Sequence, residues 1–169
     1  AELPYDFDRR MLSVLVEADG ATTMVAKGAL ENVIAACAGS DVEHASWAAT
    51  FQQLSGDGFR VLGVATRTFA GAAPVALTVA DEHDLSFAGF LCFTDPPKAD
   101  AAAAIAELAA LGVTTKVITG DNRFAAAHAA SAVGIDATSL LTGGELITLS
   151  GADLDARVAP TNVFAEIDP

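Results

Sequence analysis

The stretch Val113-Thr114-Thr115-Lys116-Val117-Ile118-Thr119-Gly120-Asp121-Asn122 decides the fold. A β-branched, apolar run enters a Gly-Asp-Asn turn, and a helical pattern follows at once from Arg123 to Val133, closed by Gly134. A strand that turns directly into a helix is the unit of a parallel α/β sheet, and such sheets gather ligands at the carboxyl ends of their strands. The pattern extends in both directions. Upstream, Leu85 to Phe93 reads as a continuous apolar strand, ended by Thr94-Asp95-Pro96-Pro97, and Ala99 to Leu111 as a helix closed by Gly112. Downstream come a short segment near Leu140, a helix from about Ala152 capped by Ser150 and Asp153, and a strand over Asn162 to Ile167.

The front of the chain has a different rhythm. Met11 to Glu17 and Thr22 to Ala26 are strand-like runs separated by Ala18-Asp19-Gly20, whose Asp-Gly step signals a hairpin. Leu30, Val33, Ile34 and Cys37 form one apolar helical stripe, with Gly39 as its expected C-terminal cap. Ser40 and Glu43 make an S-x-x-E capping box for a second helix, which carries Trp47, Phe51 and Leu54 on one side and stops at Ser55-Gly56-Asp57-Gly58. Phe59 to Phe69 is strand-like again, and Val75 to Val79 is a further candidate strand in the uninformative stretch Ala70 to Asp84. The expected fold class is therefore α/β: an α+β part with an antiparallel sheet over residues 1–97, then a partial parallel-sheet part over 98–169. The boundary falls at Pro96-Pro97, since adjacent prolines stop either regular element.

Composition narrows the function. The chain has 169 residues, 52% of them hydrophobic, and a formal net charge of −13. Its pI near 4.3 argues against nucleic acid as a partner. Cys37 and Cys92 make neither a disulfide framework nor a zinc knuckle, and both read as small apolar side chains. The longest apolar stretch, Ala101 to Val113, contains Glu107 and is too short to span a bilayer. His44, His83 and His128 share no metal-ligand spacing, so no metal ligands are assigned. Neither a Walker loop nor G-x-G-x-x-G occurs, and Ser13 and Ser131 stand in no G-x-S-x-G elbow.

Chemistry concentrates at Thr119-Gly120-Asp121-Asn122. A threonine hydroxyl and a glycine N–H at a helix start suit a phosphate, and the Asp121 carboxylate beside it would call for a cation such as Mg²⁺. The same residues also suit plain architecture, with Asp121 or Asn122 capping the helix and Gly120 making the turn. Lys27-Gly28-Ala29 could present an ammonium to a nucleotide, or simply hold a solvated lysine. Arg9 and Arg10 read as surface charges paired with neighbours. Arg60 stands on a strand with buried-looking neighbours, which calls for a specific partner.

Taken in order, these segments resemble the large cytoplasmic loop of P-type cation-transporting ATPases. Phe7-Asp8-Arg9-Arg10-Met11-Leu12-Ser13-Val14, Lys27-Gly28-Ala29-x-Glu31 and Gly58-Phe59-Arg60-Val61-Leu62-Gly63-Val64-Ala65 are similar to the second half of that family's nucleotide-binding domain. Gly89-Phe90-Leu91-x-Phe93-x-Asp95-Pro96-Pro97-Lys98 resembles its hinge, and Lys116 to Asn122 resembles the start of its phosphorylation domain, which has a haloacid-dehalogenase-like fold. Val163-Phe164-Ala165 and Asp168-Pro169 resemble the approach to its magnesium-binding loop. The Pro4-Tyr5-Asp6-Phe7 opening, Lys98 and the Leu146 to Leu154 segment look most like the bacterial magnesium-importing branch.

The resemblance implies ATP as ligand, with Mg²⁺ in the intact parent. It places Tyr5 against adenine, Lys27 with its neighbour Gly28 in the adenine pocket, and Arg10 and Arg60 toward ribose and phosphates. An aromatic face with separated cations suits a polyanion bearing a flat ring. It places Thr119, Gly120 and Asp121 beside the phosphoryl group, and Asp95, Pro96, Pro97 and Lys98 in a hinge. Its remaining implied partners are other domains and transmembrane helices of the same parent chain, at the cytoplasmic face of a membrane.

Departures accompany the matches. D-K-T-G and G-D-G-x-N-D do not occur in these residues, and Glu166 stands where the family usually has a basic residue. The expectation is a piece of a longer transporter that binds ATP without hydrolysing it, because phosphoryl transfer needs nucleophile and metal site together. Two alternatives belong to other classes. A stand-alone haloacid-dehalogenase-like phosphatase would need a D-x-D nucleophile, and Asp6-Phe7-Asp8 has the spacing but runs into arginines. A non-catalytic interaction module would use the acidic surface.

Overall fold

The computed structural model describes residues 1–71 and 74–167. The Asp168-Pro169 resemblance lies outside them. The chain divides into two compact units: Ala1–Gln52 with Val61–Phe93, and Gln53–Arg60 with Thr94–Pro169.

The first unit is built on a sheet in the order β1-β2-β3-β4-β5, with β1 Glu2–Asp6, β2 Met11–Ala18, β3 Ala21–Gly28, β4 Phe59–Phe69 and β5 Ser86–Thr94. β1–β2, β2–β3 and β3–β4 are antiparallel. The hairpin between β2 and β3 turns on Asp19 (φ 52°) and Gly20 (φ 76°), two left-handed residues as an inverse type I turn requires. Along β2 and β3, Met11, Ser13, Met24, Ala26 and Gly28 are buried on one face, the period of two expected of a strand on a core.

Against that face lies α1, Leu30–Ala36, with Leu30 and Val33 buried. Gly63 of β4 makes the close packing feasible: a Cβ there would sit 3.1 Å from both Leu30 Cδ1 and Val33 Cβ. Helix α2, Asp41–Gly56, starts at the expected capping box, where the Glu43 carboxylate accepts from the Ser40 N–H and hydroxyl at 2.8 Å. These bonds hold the Glu43 carboxyl below its ordinary range. Trp47 of α2 stacks on Phe87 of β5 at 4.5 Å between ring centroids.

Two expectations change in this unit. α1 stops at Ala36 rather than at Gly39, because Cys37 turns extended and forms a parallel bridge with Leu85. No strand forms over Val75 to Val79. Val75 is fully exposed, and Thr78 with Asp81 instead caps a 3-10 turn, Val79–Asp81. β5 joins the five-stranded sheet beside β4, within the 1–97 part to which the sequence assigns it, and takes no place in the parallel sheet. Its apolar run reads equally well in either environment.

The second unit holds a parallel sheet in the order β6-β8-β7, from Val117–Ile118, Val163–Ala165 and Leu140–Thr142. Helices α3, Ala101–Ala110, and α4, Arg123–Ala132, end as their glycines imply. Gly112 and Gly134, both at φ 80°, let the following residues bond back to Leu108 and Ala130, the six-to-one closure of a Schellman motif. That closure consumes Val113, so β6 begins only at Val117 and not at Val113. Helix α5, Gly143–Thr148, escapes the sequence reading because its Gly-Gly opening looks like a turn; a Thr142/Glu145 capping box starts it. Helix α6, Gly151–Val158, completes the unit. Its core gathers Ala126, Ala130, Ile135, Val163 and Ala165.

Candidate functional site

In the first unit the aromatic and basic candidates meet through the backbone. Tyr5 lies on β1, 49% exposed, edge-to-face with the 78% exposed Phe7 at 5.4 Å. The chain then doubles back at Arg10, which adopts φ 49°. Its N–H donates to the Asp6 carbonyl at 2.7 Å, and its own carbonyl accepts from the Ala29 N–H at 2.9 Å. That second bond lays the Tyr5–Arg10 turn against the end of β3, where Lys27 and Gly28 sit. Lys27 is exposed, paired in register with Leu12 and Val64. Gly28 is buried: a Cβ would come 2.3 Å from the Arg10 carbonyl oxygen. The close approach this glycine permits is therefore to its own chain. The Arg10 guanidinium lies 3.6 Å from the Glu31 carboxylate at the start of α1.

Arg9 is no surface charge. It is 16% exposed and forks onto Glu82, 73 residues away, at 2.7 and 2.6 Å; the Glu82 side chain is only 3% exposed. Sequence reading passed over Glu82, since nothing in its polar surroundings announces a buried carboxylate.

In the second unit Arg60 and the Thr119–Asp121 loop come together. Arg60 Nη2 reaches Asp121 Oδ1 at 2.8 Å, and Nη1 stands 3.8 Å from Asp95. The Thr119 hydroxyl donates to Asp121 Oδ2 at 3.2 Å and accepts from the Asp121 N–H at 3.1 Å. The loop is tied back by the Glu166 N–H to the Asp121 carbonyl and the Ile167 N–H to the Thr119 carbonyl. Asn122 is the cap of α4: its Oδ1 accepts from the Phe124 and Ala125 N–H groups, both at 3.1 Å. Capping thus falls to Asn122 and leaves the Asp121 carboxylate to Arg60 and Thr119. Glu166, at φ 55°, also receives the Arg123 N–H at 3.1 Å, so it serves this loop from behind. Asp95, Pro96, Pro97 and Lys98 are exposed and irregular, and the Lys98 carbonyl accepts the Ala101 N–H at the start of α3.

The donor set does not suit a divalent cation. Asp121 already faces a guanidinium, and among the described residues no group of three or more His, Cys, Asp or Glu could hold a metal ion. Among the described residues, too, no helix is long and apolar enough to cross a membrane.

Residues 1–100 match the family model described as P-type ATPase, cytoplasmic domain N. The chain is similar to a protein named magnesium-transporting ATPase, P-type 1, of Salmonella typhimurium strain LT2, at 38% identity over 99% of the chain, and to the protein of the same name in Escherichia coli K12, at 35%. It is also similar to the probable cation-transporting ATPase F of Mycobacterium bovis, at 30% over the whole chain. In each case the chain spans about a fifth of the relative's length.

Proposed function

Because this chain belongs to the P-type ATPases, we propose that it is the part of an ATP-driven cation pump that receives ATP, and that the cation is Mg²⁺. In this reading residues 1–97 come from the nucleotide-binding domain and 98–169 open a haloacid-dehalogenase-like phosphorylation domain. Tyr5 stacks on adenine, Lys27 lines the ring's pocket, and Arg10 and Arg60 meet ribose and phosphates. Thr119, Gly120 and Asp121 attend the phosphoryl group. Asp95 to Lys98 form the hinge. Arg60 releases Asp121 when phosphate competes for the guanidinium. With D-K-T-G and G-D-G-x-N-D not among its residues, the chain alone binds ATP without cleaving it.

The observation that carries the reading is the Ala29-to-Arg10 hydrogen bond. It lays the turn that carries Tyr5 and Arg10 against the end of β3 that carries Lys27 and Gly28, which supports the reading. The test is an NMR titration with ATP. Saturable shifts at Tyr5, Arg10 and Lys27, weakened in Lys27→Ala, are expected. Signals that stay still at millimolar ATP would overturn the reading.

A further inference from the structure

The turn that carries Tyr5 and Arg10 is held by a buried ionic network that the proposed binding residues do not include. Glu82 follows the 3-10 turn, and its carboxylate is almost fully enclosed. It accepts three hydrogen bonds: two from Arg9 Nη1, at 2.7 and 2.6 Å, and one from the Ser13 hydroxyl at 2.5 Å. Ser13 is completely buried on the core face of β2. The other arm of the guanidinium, Nη2, donates to the Pro4 carbonyl at 2.9 Å, the peptide that leads into Tyr5. The Arg9 N–H donates to Asp6 Oδ1 at 2.8 Å, and the next residue is the left-handed Arg10.

A buried carboxylate demands this much compensation, since an unpaired charge there is strongly destabilising. A non-glycine residue at positive φ survives only where its surroundings over-determine it. Both conditions meet at one residue, Arg9: its side chain is anchored at Glu82 and holds the Pro4 carbonyl, while its own N–H is tied to Asp6 immediately before the left-handed Arg10.

We infer that Glu82 is a positioning residue for nucleotide: through Arg9 it fixes the Pro4–Tyr5 peptide and the Arg10 backbone, and so the spacing of the aromatic face and the cation that ATP would meet. The inference rests on the nucleotide reading above for its ligand, and on the network alone for its mechanism. The carboxylate supplies what a neutral amide lacks: a second acceptor oxygen, Oε2, for Arg9 Nη1 and a full counter-charge for the guanidinium.

The test compares Glu82→Gln with Val33→Ala, a variant in the same core but with no bond to the turn. Amide exchange at Arg9 and Arg10, the Tyr5 ring signals and ATP affinity are followed in each, alongside the unfolding midpoint. In Glu82→Gln the Arg9 and Arg10 amides exchange at least about tenfold faster and ATP binds about tenfold more weakly, the scale of one charge-assisted hydrogen bond. In Val33→Ala the protein loses stability while the turn amides and ATP affinity hold. Equal effects in the two variants would reduce Glu82 to a structural residue and overturn the inference. So would a Glu82→Gln chain with unchanged turn amides. If wild type ignores ATP, the nucleotide reading falls by itself, and the amides and the Tyr5 ring decide whether Glu82 orders this turn. Should Glu82→Gln fail to fold, Arg9→Lys gives the same readout, since it keeps the charge but cannot reach Glu82 and Pro4 at once.

Discussion

Gly28 and Arg10 are neighbours with no room between them: a single added carbon on Gly28 would lie 2.3 Å from the Arg10 carbonyl oxygen and 2.8 Å from Met11 Cα. The obstacle is backbone, which cannot swing aside as a side chain can. Gly28→Ala is therefore expected to destabilise the chain by about 2 kcal/mol, the range of overpacked cores. Urea unfolding checks it. A cost below about 0.5 kcal/mol would mean that the β2–β3 pair yields easily at this point.

Asn122 supplies the orphan donors at the start of α4 with an acceptor, and its amide also approaches the buried Ser55 hydroxyl at 3.4 Å. Asn122→Ala should cost about 1 kcal/mol, as loss of a good N-cap does. Asn122→Ser should recover most of it. Thermal unfolding of the three chains separates these outcomes.

The Arg60–Asp121 pair is short, yet the arginine is more than half exposed. Its weight in stability is expected to stay below about 1 kcal/mol and to shrink further as salt rises. Arg60→Ala should then unfold close to wild type while its response to ATP weakens. A large loss of stability would show that the pair is architectural and not held in reserve for phosphate.

Acid should weaken the capped turns first. Hydrogen bonds from the Thr142 N–H and hydroxyl hold Glu145 below its ordinary pKa, and those from Thr78 do the same for Asp81. For a carboxylate whose folded pKa is depressed, the stability is present above the unfolded pKa and is lost as pH falls through the folded one. Stability should thus decline once pH drops below the ordinary carboxylate range. Thr142→Val, which removes the hydroxyl donor to Glu145, should flatten that slope. An identical acid profile in the variant would contradict the assignment.

Local signals were read well from sequence wherever chemistry and geometry coincide in a few residues. Asp19-Gly20, Gly112, Gly134 and the Ser40/Glu43 box each dictate one backbone path, and each is found there. Long-range choices were not legible. The apolar run of β5 suits either sheet, and only its pairing beside β4 decides. The candidate site divides the same way. Tyr5 and Arg10 are singled out by the family resemblance and not by residue type, and Lys27 alone leaves two readings open, whereas Glu82 is not marked at all, because a buried acid is identified by its partner and Arg9 lies 73 residues off.

The β2–β3 hairpin finally carries a consequence for the order of folding. All eight residues of each strand pair in register across a two-residue loop, so this ribbon closes with minimal loop entropy and can form within microseconds. The Arg9–Glu82 bridge closes a loop many times longer, and it gains its strength only after water has been excluded. Lesions in the hairpin should therefore slow refolding, whereas lesions at Glu82 should chiefly hasten unfolding, so that the turn bearing Tyr5 is among the last parts of the chain to acquire its shape.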